Sequence, residues 1–148
     1  MFATIHSNQQ IFTNRGANGI DGLIATSLGC LRSNVQNWSV IGDLSALYDM
    51  NSLWALQYIK SYNYNLVVIN NGGGKIFTPL FNDPQFENQH SLNLKSLAEL
   101  FQMNYQKVSS LDELESLSAK GHNLIEIFPN NEDTLSLTNA MRETWKKS

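Results

Sequence analysis

The chain has 148 residues, the length of one compact domain, with 42% hydrophobic and 16% charged residues, enough apolar material for a core of its own. A net charge of −3 without a basic run leaves no electrostatic footprint for nucleic acid or an anionic membrane, and no apolar run approaches the roughly 20 residues that span a bilayer. Cys30 is the only cysteine, which excludes an internal disulfide and a cysteine zinc cluster and fits a reducing cytoplasm; the start lacks the pattern of a signal peptide.

Taken in chain order, helical and strand patterns alternate. Ile20, Leu23, Ile24, Leu28 and Leu31 recur at helical spacing, predicting a helix over 19–32 with Cys30 packed in it. The apolar run 38–41 predicts a strand. Leu53, Trp54, Leu56, Tyr58 and Ile59 predict a helix over 51–61, and 66–69 a second strand. Residues 72–89 carry three glycines, Pro79 and Pro84 and little periodicity; so long a connection inside a compact domain is functional or mobile. A helix is expected over 94–103. Ser110 and Glu113 form a capping box, with Gly121 as the stop of the helix it opens. A third strand follows at 124–128, then a helix over 133–147, acidic at its start and basic at its end. Continuous apolar strands covered on both faces, alternating with helices, predict an α/β domain over 1–148: three layers around a mainly parallel central sheet.

Two segments follow two of these strands. Gly42-Asp43-Leu44-Ser45 comes straight after 38–41, and Asn70-Asn71-Gly72-Gly73-Gly74 straight after 66–69. Ligands of open α/β sheets bind at the carboxyl ends of strands, so neighbouring strands would bring both segments together. Asp43 offers a carboxylate, Asn71 an amide oxygen and Gly73 a backbone carbonyl, a hard oxygen set that suits Mg²⁺ shared with phosphates. The glycines let backbone N–H groups approach a diphosphate. Each segment also has a plain structural reading, Asp43 as a helix cap and Asn-Gly as a turn. His6, His90 and His122 lack a second ligand at metal spacing and read as solvated or structural.

The combination Gly42-Asp43-Leu44 with Asn70-Asn71 resembles the thiamine-diphosphate motif, written Gly-Asp-Gly, a spacer, then Asn-Asn. Leu44 departs from the third position. Three longer strings, 14–22 (Asn-Arg-Gly-Ala-Asn-Gly-Ile-Asp-Gly), 42–49 (Gly-Asp-Leu-Ser-Ala-Leu-Tyr-Asp) and 70–77, ending Lys75-Ile76-Phe77, resemble the SEPHCHC synthase family, in which the Gly-Asp-Leu-Ser form is usual. The likeness runs from about Ile11 to Phe128.

That resemblance implies a thiamine-diphosphate-binding (PP) domain of a carboligase in menaquinone biosynthesis, which decarboxylates 2-oxoglutarate and adds the succinyl-level unit to isochorismate. It implies Mg²⁺ or Mn²⁺ on Asp43, Asn71 and Gly73, with Gly42, Leu44 and Ser45 beside the cofactor's phosphates. Ile20 would be the apolar wedge that bends the cofactor, or plain helix core. Arg15 would meet a substrate carboxylate, or be structural. Ile76, Phe77 and Leu80 would line the substrate pocket, or pack their loop. In this family a partner domain supplies the glutamate that activates the cofactor, and nothing in the chain fills that role. The chain is therefore expected to be a fragment lacking its pyrimidine-binding and central domains. It would be inactive alone, and would pair with a pyrimidine-binding domain from a second subunit in a dimer or tetramer. Two other readings stand beside this one: the PP domain of an acetolactate-synthase-like carboligase, and a non-catalytic α/β binding module.

Overall fold

The computed structural model describes residues 10–14, 19–78 and 83–146. Four parallel strands form one sheet: β1 (Gln36–Gly42), β2 (Asn63–Ile69), β3 (Asn104–Val108) and β4 (His122–Ile127), in the order β1-β2-β4-β3. Among the described residues the α-helices that accompany them are α1 (Leu23–Gly29), α2 (Asp43–Asp49), α3 (Lys95–Leu100), α4 (Leu111–Glu115) and α5 (Asn131–Lys146). The expected α/β class with a parallel sheet is the observed one. Among the described residues no helix is long and apolar enough to cross a membrane.

The central strands β2 and β4 are buried on both faces, which is why they read as continuous apolar runs. On one face Tyr64, Leu66, Val68 and Leu124 meet Ile24 of α1, Ala46 of α2 and Ala98 of α3. On the other, Val67, Ile125 and Val108 form a smaller cluster with Leu117 from the segment after α4. Burying one such aliphatic side chain contributes roughly 1.5–3 kcal/mol.

Several expectations are corrected. Strand β1 lies at the sheet edge and is not covered on both faces; Trp38 and Val40 are exposed. The helix expected over 19–32 begins only at Leu23, because Gly22 takes a left-handed φ of 71°. Ile20 therefore precedes it and is exposed, so it is not helix core, and Cys30 lies exposed at its end instead of packed inside.

The segment 51–61 forms a 3₁₀ helix, Met50–Tyr58, continuous with α2. Leu53 and Leu56 are both buried, and a spacing of three stacks them on one side of a three-residue turn. The helix over 94–103 shortens to α3, where a left-handed Gln102 (φ 56°) breaks it. Ser110 accepts from the Glu113 amide at 3.3 Å, so the cap is present, but Glu113 reaches back to the Ser109 amide and α4 stops at Glu115. Gly121 instead leads into β4, donating to Asn63 Oδ1 at 2.8 Å. Strand β3 carried no expectation: Asn-Tyr-Gln-Lys-Val is half polar because it pairs on one side only.

Candidate functional site

The register of β1 and β2 builds the site. Gly42 pairs with Ile69, so the residues that follow them, Asp43 and Asn70, leave the sheet side by side. There is no loop after β1. Gly42 is extended and Asp43 is the first residue of α2, where the helix dipole favours an acid.

Asp43 is not a simple cap. Its side chain is buried, and Oδ2 accepts from the amides of Gly72 at 2.8 Å and Gly73 at 2.9 Å. Oδ1 accepts from the Leu44 amide at 2.7 Å. Two successive loop N–H groups thus grip one carboxylate oxygen, the geometry of a backbone anion nest. The carboxylate ties the two strand ends together across the sheet edge.

What remains uncommitted is oxygen. Asp43 Oδ1 accepts one N–H and keeps lone-pair capacity. Among the described residues the Gly73 carbonyl accepts one backbone N–H, that of Lys75, at 3.0 Å. Asn71 Oδ1 is buried without a hydrogen-bond partner, a costly state for an acceptor unless another group uses it. Hard oxygens from a carboxylate, an amide and a carbonyl fit a small divalent cation that keeps part of its shell for phosphate and water. Among the described residues no three His, Cys, Asp or Glu side chains gather to hold a metal. A set with one carboxylate does not require such a group.

The stretch after Gly73 is ordered around Glu87. Its carboxylate accepts from Lys75 Nζ at 2.5 Å, Gln89 Nε2 at 2.7 Å and the Thr78 hydroxyl. The hydrogen bonds from Gln89, Lys75 and Thr78 pull its pKa down to about 2. Its backbone carbonyl accepts from Gly74 N at 2.6 Å. Gly73 adopts φ 135°, and a Cβ there would lie 2.6 Å from the same carbonyl, so only glycine fits.

On the other side of the loop, Asn70 donates from Nδ2 to Glu126 Oε1 at 2.6 Å and to the Leu92 carbonyl at 2.8 Å. Glu126 is fully buried on β4. It also accepts from Leu94 N and, at 2.7 Å, from the Tyr105 hydroxyl. Burial and then the neighbouring carboxylate raise the Tyr105 pKa, which keeps the phenol a donor.

A depression of about 510 Å³ opens beside this edge, lined by Asn71, Gly72, Lys75, Gln89, His90 and Ser91. Of the two roles expected for His90, solvated or structural, burial removes the first. Its side chain is 11% exposed, with Nε2 3.3 Å from Asp43 Oδ2. Glu87, His90 and Glu126 were not singled out as site residues. The one available signal was an acid inside the apolar run 124–128, which burial tolerates only with partners. Of the remaining candidates, Leu44 and Ser45 sit half-buried in the first turn of α2. Ile20, Ile76 and Phe77 are exposed at 39%, 78% and 42%. Arg15, Leu80 and His6 lie outside the described residues. His122 opens β4 with Nε2 3.3 Å from the Ile59 carbonyl.

No family model matches the chain. Among curated proteins it is similar to 2-succinyl-5-enolpyruvyl-6-hydroxy-3-cyclohexene-1-carboxylate synthases. That of Bdellovibrio bacteriovorus is 39% identical over 93% of this chain and 26% of the relative. That of Akkermansia muciniphila is 37% identical over 89% and 28%. That of Flavobacterium johnsoniae is 39% identical over 90% and 26%. Among solved structures, a benzoylformate decarboxylase from Polynucleobacter necessarius superposes with a TM-score of 0.54 over 72% of this chain and 22% of that one. At 23% identity this likeness establishes the fold alone. Along nearly its whole length, then, the chain is a member of the 2-succinyl-5-enolpyruvyl-6-hydroxy-3-cyclohexene-1-carboxylate (SEPHCHC) synthase family, and it spans about a quarter of the length of the curated relatives it matches.

Proposed function

We propose that this chain is the diphosphate-binding (PP) part of a cytoplasmic SEPHCHC synthase and holds thiamine diphosphate through Mg²⁺ or Mn²⁺. The observation that carries the reading is the buried, unpartnered Asn71 Oδ1, on the residue just before the two amides, Gly72 and Gly73, that hold the Asp43 carboxylate in place. Asp43, Asn71 and the Gly73 carbonyl would hold the metal. Gly42, Leu44 and Ser45, at the start of α2, would lie against the diphosphate.

When bound, the cofactor supplies the electron sink for decarboxylating 2-oxoglutarate before the remaining unit is added to isochorismate. The residues of this chain bind and orient. Asp43 fixes the Gly72–Gly73 turn, Asn70 anchors it to β4, and Ile20 would support the bent cofactor. Arg15 would pair with a substrate carboxylate, with Ile76, Phe77 and Leu80 forming the apolar wall around it. A pyrimidine-binding domain, contributed by a second subunit of a homo-oligomer, would supply the glutamate that activates the cofactor.

The test is to titrate thiamine diphosphate with Mg²⁺ into the ¹⁵N-labelled chain. Magnesium-dependent shifts should centre on the amides of Leu44, Asn71, Gly72 and Gly73; shifts centred elsewhere, or none, reject the site. The need for a second domain is tested separately. The chain alone should not turn over 2-oxoglutarate, and robust turnover would refute that requirement.

A further inference from the structure

His90 touches the Asn71–Gly73 turn from two directions. Its backbone N–H donates to the Gly72 carbonyl at 3.2 Å. Its own carbonyl lies 3.2 Å from where a Cβ on Gly72 would sit, so the two backbones are in close approach. The imidazole then turns inward toward Asp43.

The ring's tautomer follows from its other nitrogen. Nδ1 accepts the Leu92 amide at 3.2 Å, which commits its lone pair and leaves it unprotonated. A neutral imidazole must then carry its proton on Nε2. That atom is buried, makes no hydrogen bond of good geometry, and lies 3.3 Å from Asp43 Oδ2. A protonated Nε2 cannot ligate a cation, but it can donate to a carboxylate. Oδ2, which already accepts from Gly72 and Gly73, would then also face the His90 N–H, while Oδ1 accepts from Leu44 N and keeps lone-pair capacity.

We infer that His90 is a positioning residue for the metal-facing carboxylate: its Nε2–H tautomer, packed 3.3 Å from Asp43 Oδ2, keeps that oxygen on the inward side and leaves Oδ1 as the oxygen offered to a cation. The inference rests on the metal reading proposed above. It assigns His90 no contact with the ion and no change of charge. Hydrogen-bond partners of ligating carboxylates commonly account for roughly 10–100-fold in metal affinity.

The experiment has two independent arms on the full chain. Long-range ¹⁵N–¹H spectra of the wild type report the tautomer without any metal, and Nε2–H with bare Nδ1 is expected. Mn²⁺ titration, followed by paramagnetic broadening of the Asn71, Gly72 and Gly73 amides, then compares the wild type with His90→Leu and His90→Gln. The Leu variant should weaken Mn²⁺ about tenfold or more. The Gln variant, whose amide can donate from nearly the same place, should recover most of the loss. A purely structural role would lower the thermal midpoint of both variants and give Gln no such rescue. An Nδ1–H tautomer, or unchanged Mn²⁺ affinity in His90→Leu, overturns the inference. No Mn²⁺ uptake by the wild type overturns the metal reading itself, whereas uptake that His90→Leu leaves untouched overturns only the role of His90.

Discussion

Asn70 Nδ2 donates to Glu126 Oε1 at 2.6 Å across the β2–β4 boundary, joining the start of the glycine turn to a carboxylate inside the core. Among the described residues, every hydrogen-bond partner of that carboxylate is a donor: Asn70, Leu94 N and the Tyr105 hydroxyl. Glu126→Gln would place an NH₂ group among donors. It should cost about 1–3 kcal/mol, the penalty for leaving buried polar groups unmatched. Urea denaturation measures it, and a loss below about 0.5 kcal/mol would contradict the arrangement.

Substitutions at Asp43 and Asn71 should differ in stability but not in the loss of Mn²⁺ binding. Asp43→Asn disturbs bonds to Gly72, Gly73 and Leu44, so the chain should lose stability by roughly 1–3 kcal/mol as well as Mn²⁺ binding. Asn71→Ala removes an oxygen that makes no hydrogen bond, so stability should change by less than about 0.5 kcal/mol while Mn²⁺ binding is lost. Thermal melts paired with Mn²⁺ titration separate the two effects. Large destabilisation by Asn71→Ala would show that its oxygen is structurally engaged.

Gly73→Ala forces a side chain onto φ 135° and against the Glu87 carbonyl. Backbone strain of this kind costs about 1–3 kcal/mol, and here the loop must also move. Gly29→Ala is the control, because a Cβ there meets nothing within 4 Å. Hydrogen exchange at Gly74, whose amide bonds to Glu87, should accelerate in the first variant and stay unchanged in the second.

Acid should loosen the same stretch. The folded pKa of Glu87, about 2, lies below the roughly 4.3 of an exposed glutamate. A depressed folded value means the stabilisation is complete above about pH 4.3 and is lost as pH falls toward 2. The Glu87→Gln variant should lack this component, so its stability and that of the wild type should converge through that window. Parallel curves would remove Glu87 as the cause.

Much of this edge was legible in the sequence because buried parallel strands advertise themselves. Residues 66–69, and 124–128 apart from Glu126, are apolar, and the polar residues that follow the first run stand out. The edge strand β3 was not legible, since Gln106 and Lys107 interrupt any apolar pattern. The helix over 51–61 was legible as helical but not as 3₁₀, because Leu53, Leu56 and Ile59 satisfy either period. His90 and Glu87 were hidden for a different reason. Both act through contacts between residues 72–78 and 83–90, or with Asp43, and no local pattern reports which distant carbonyl or carboxylate a polar side chain will meet.

The in-register pairing of Gly42 with Ile69 has a consequence for how much length change the fold can absorb. Residues 44–62 run from strand end back to strand start over a helical crossover, and the two rungs at the carboxyl edge do not depend on how many residues that crossover contains. An insertion near the exposed Tyr58 would lengthen the route and leave Asp43 facing the same turn. A single residue inserted within β1 or β2 would shift the ladder by one, swap inward for outward side chains, and carry Asp43 away from Gly72 and Gly73. The distance between the two motifs along the chain is therefore elastic, while the rungs beneath them are not.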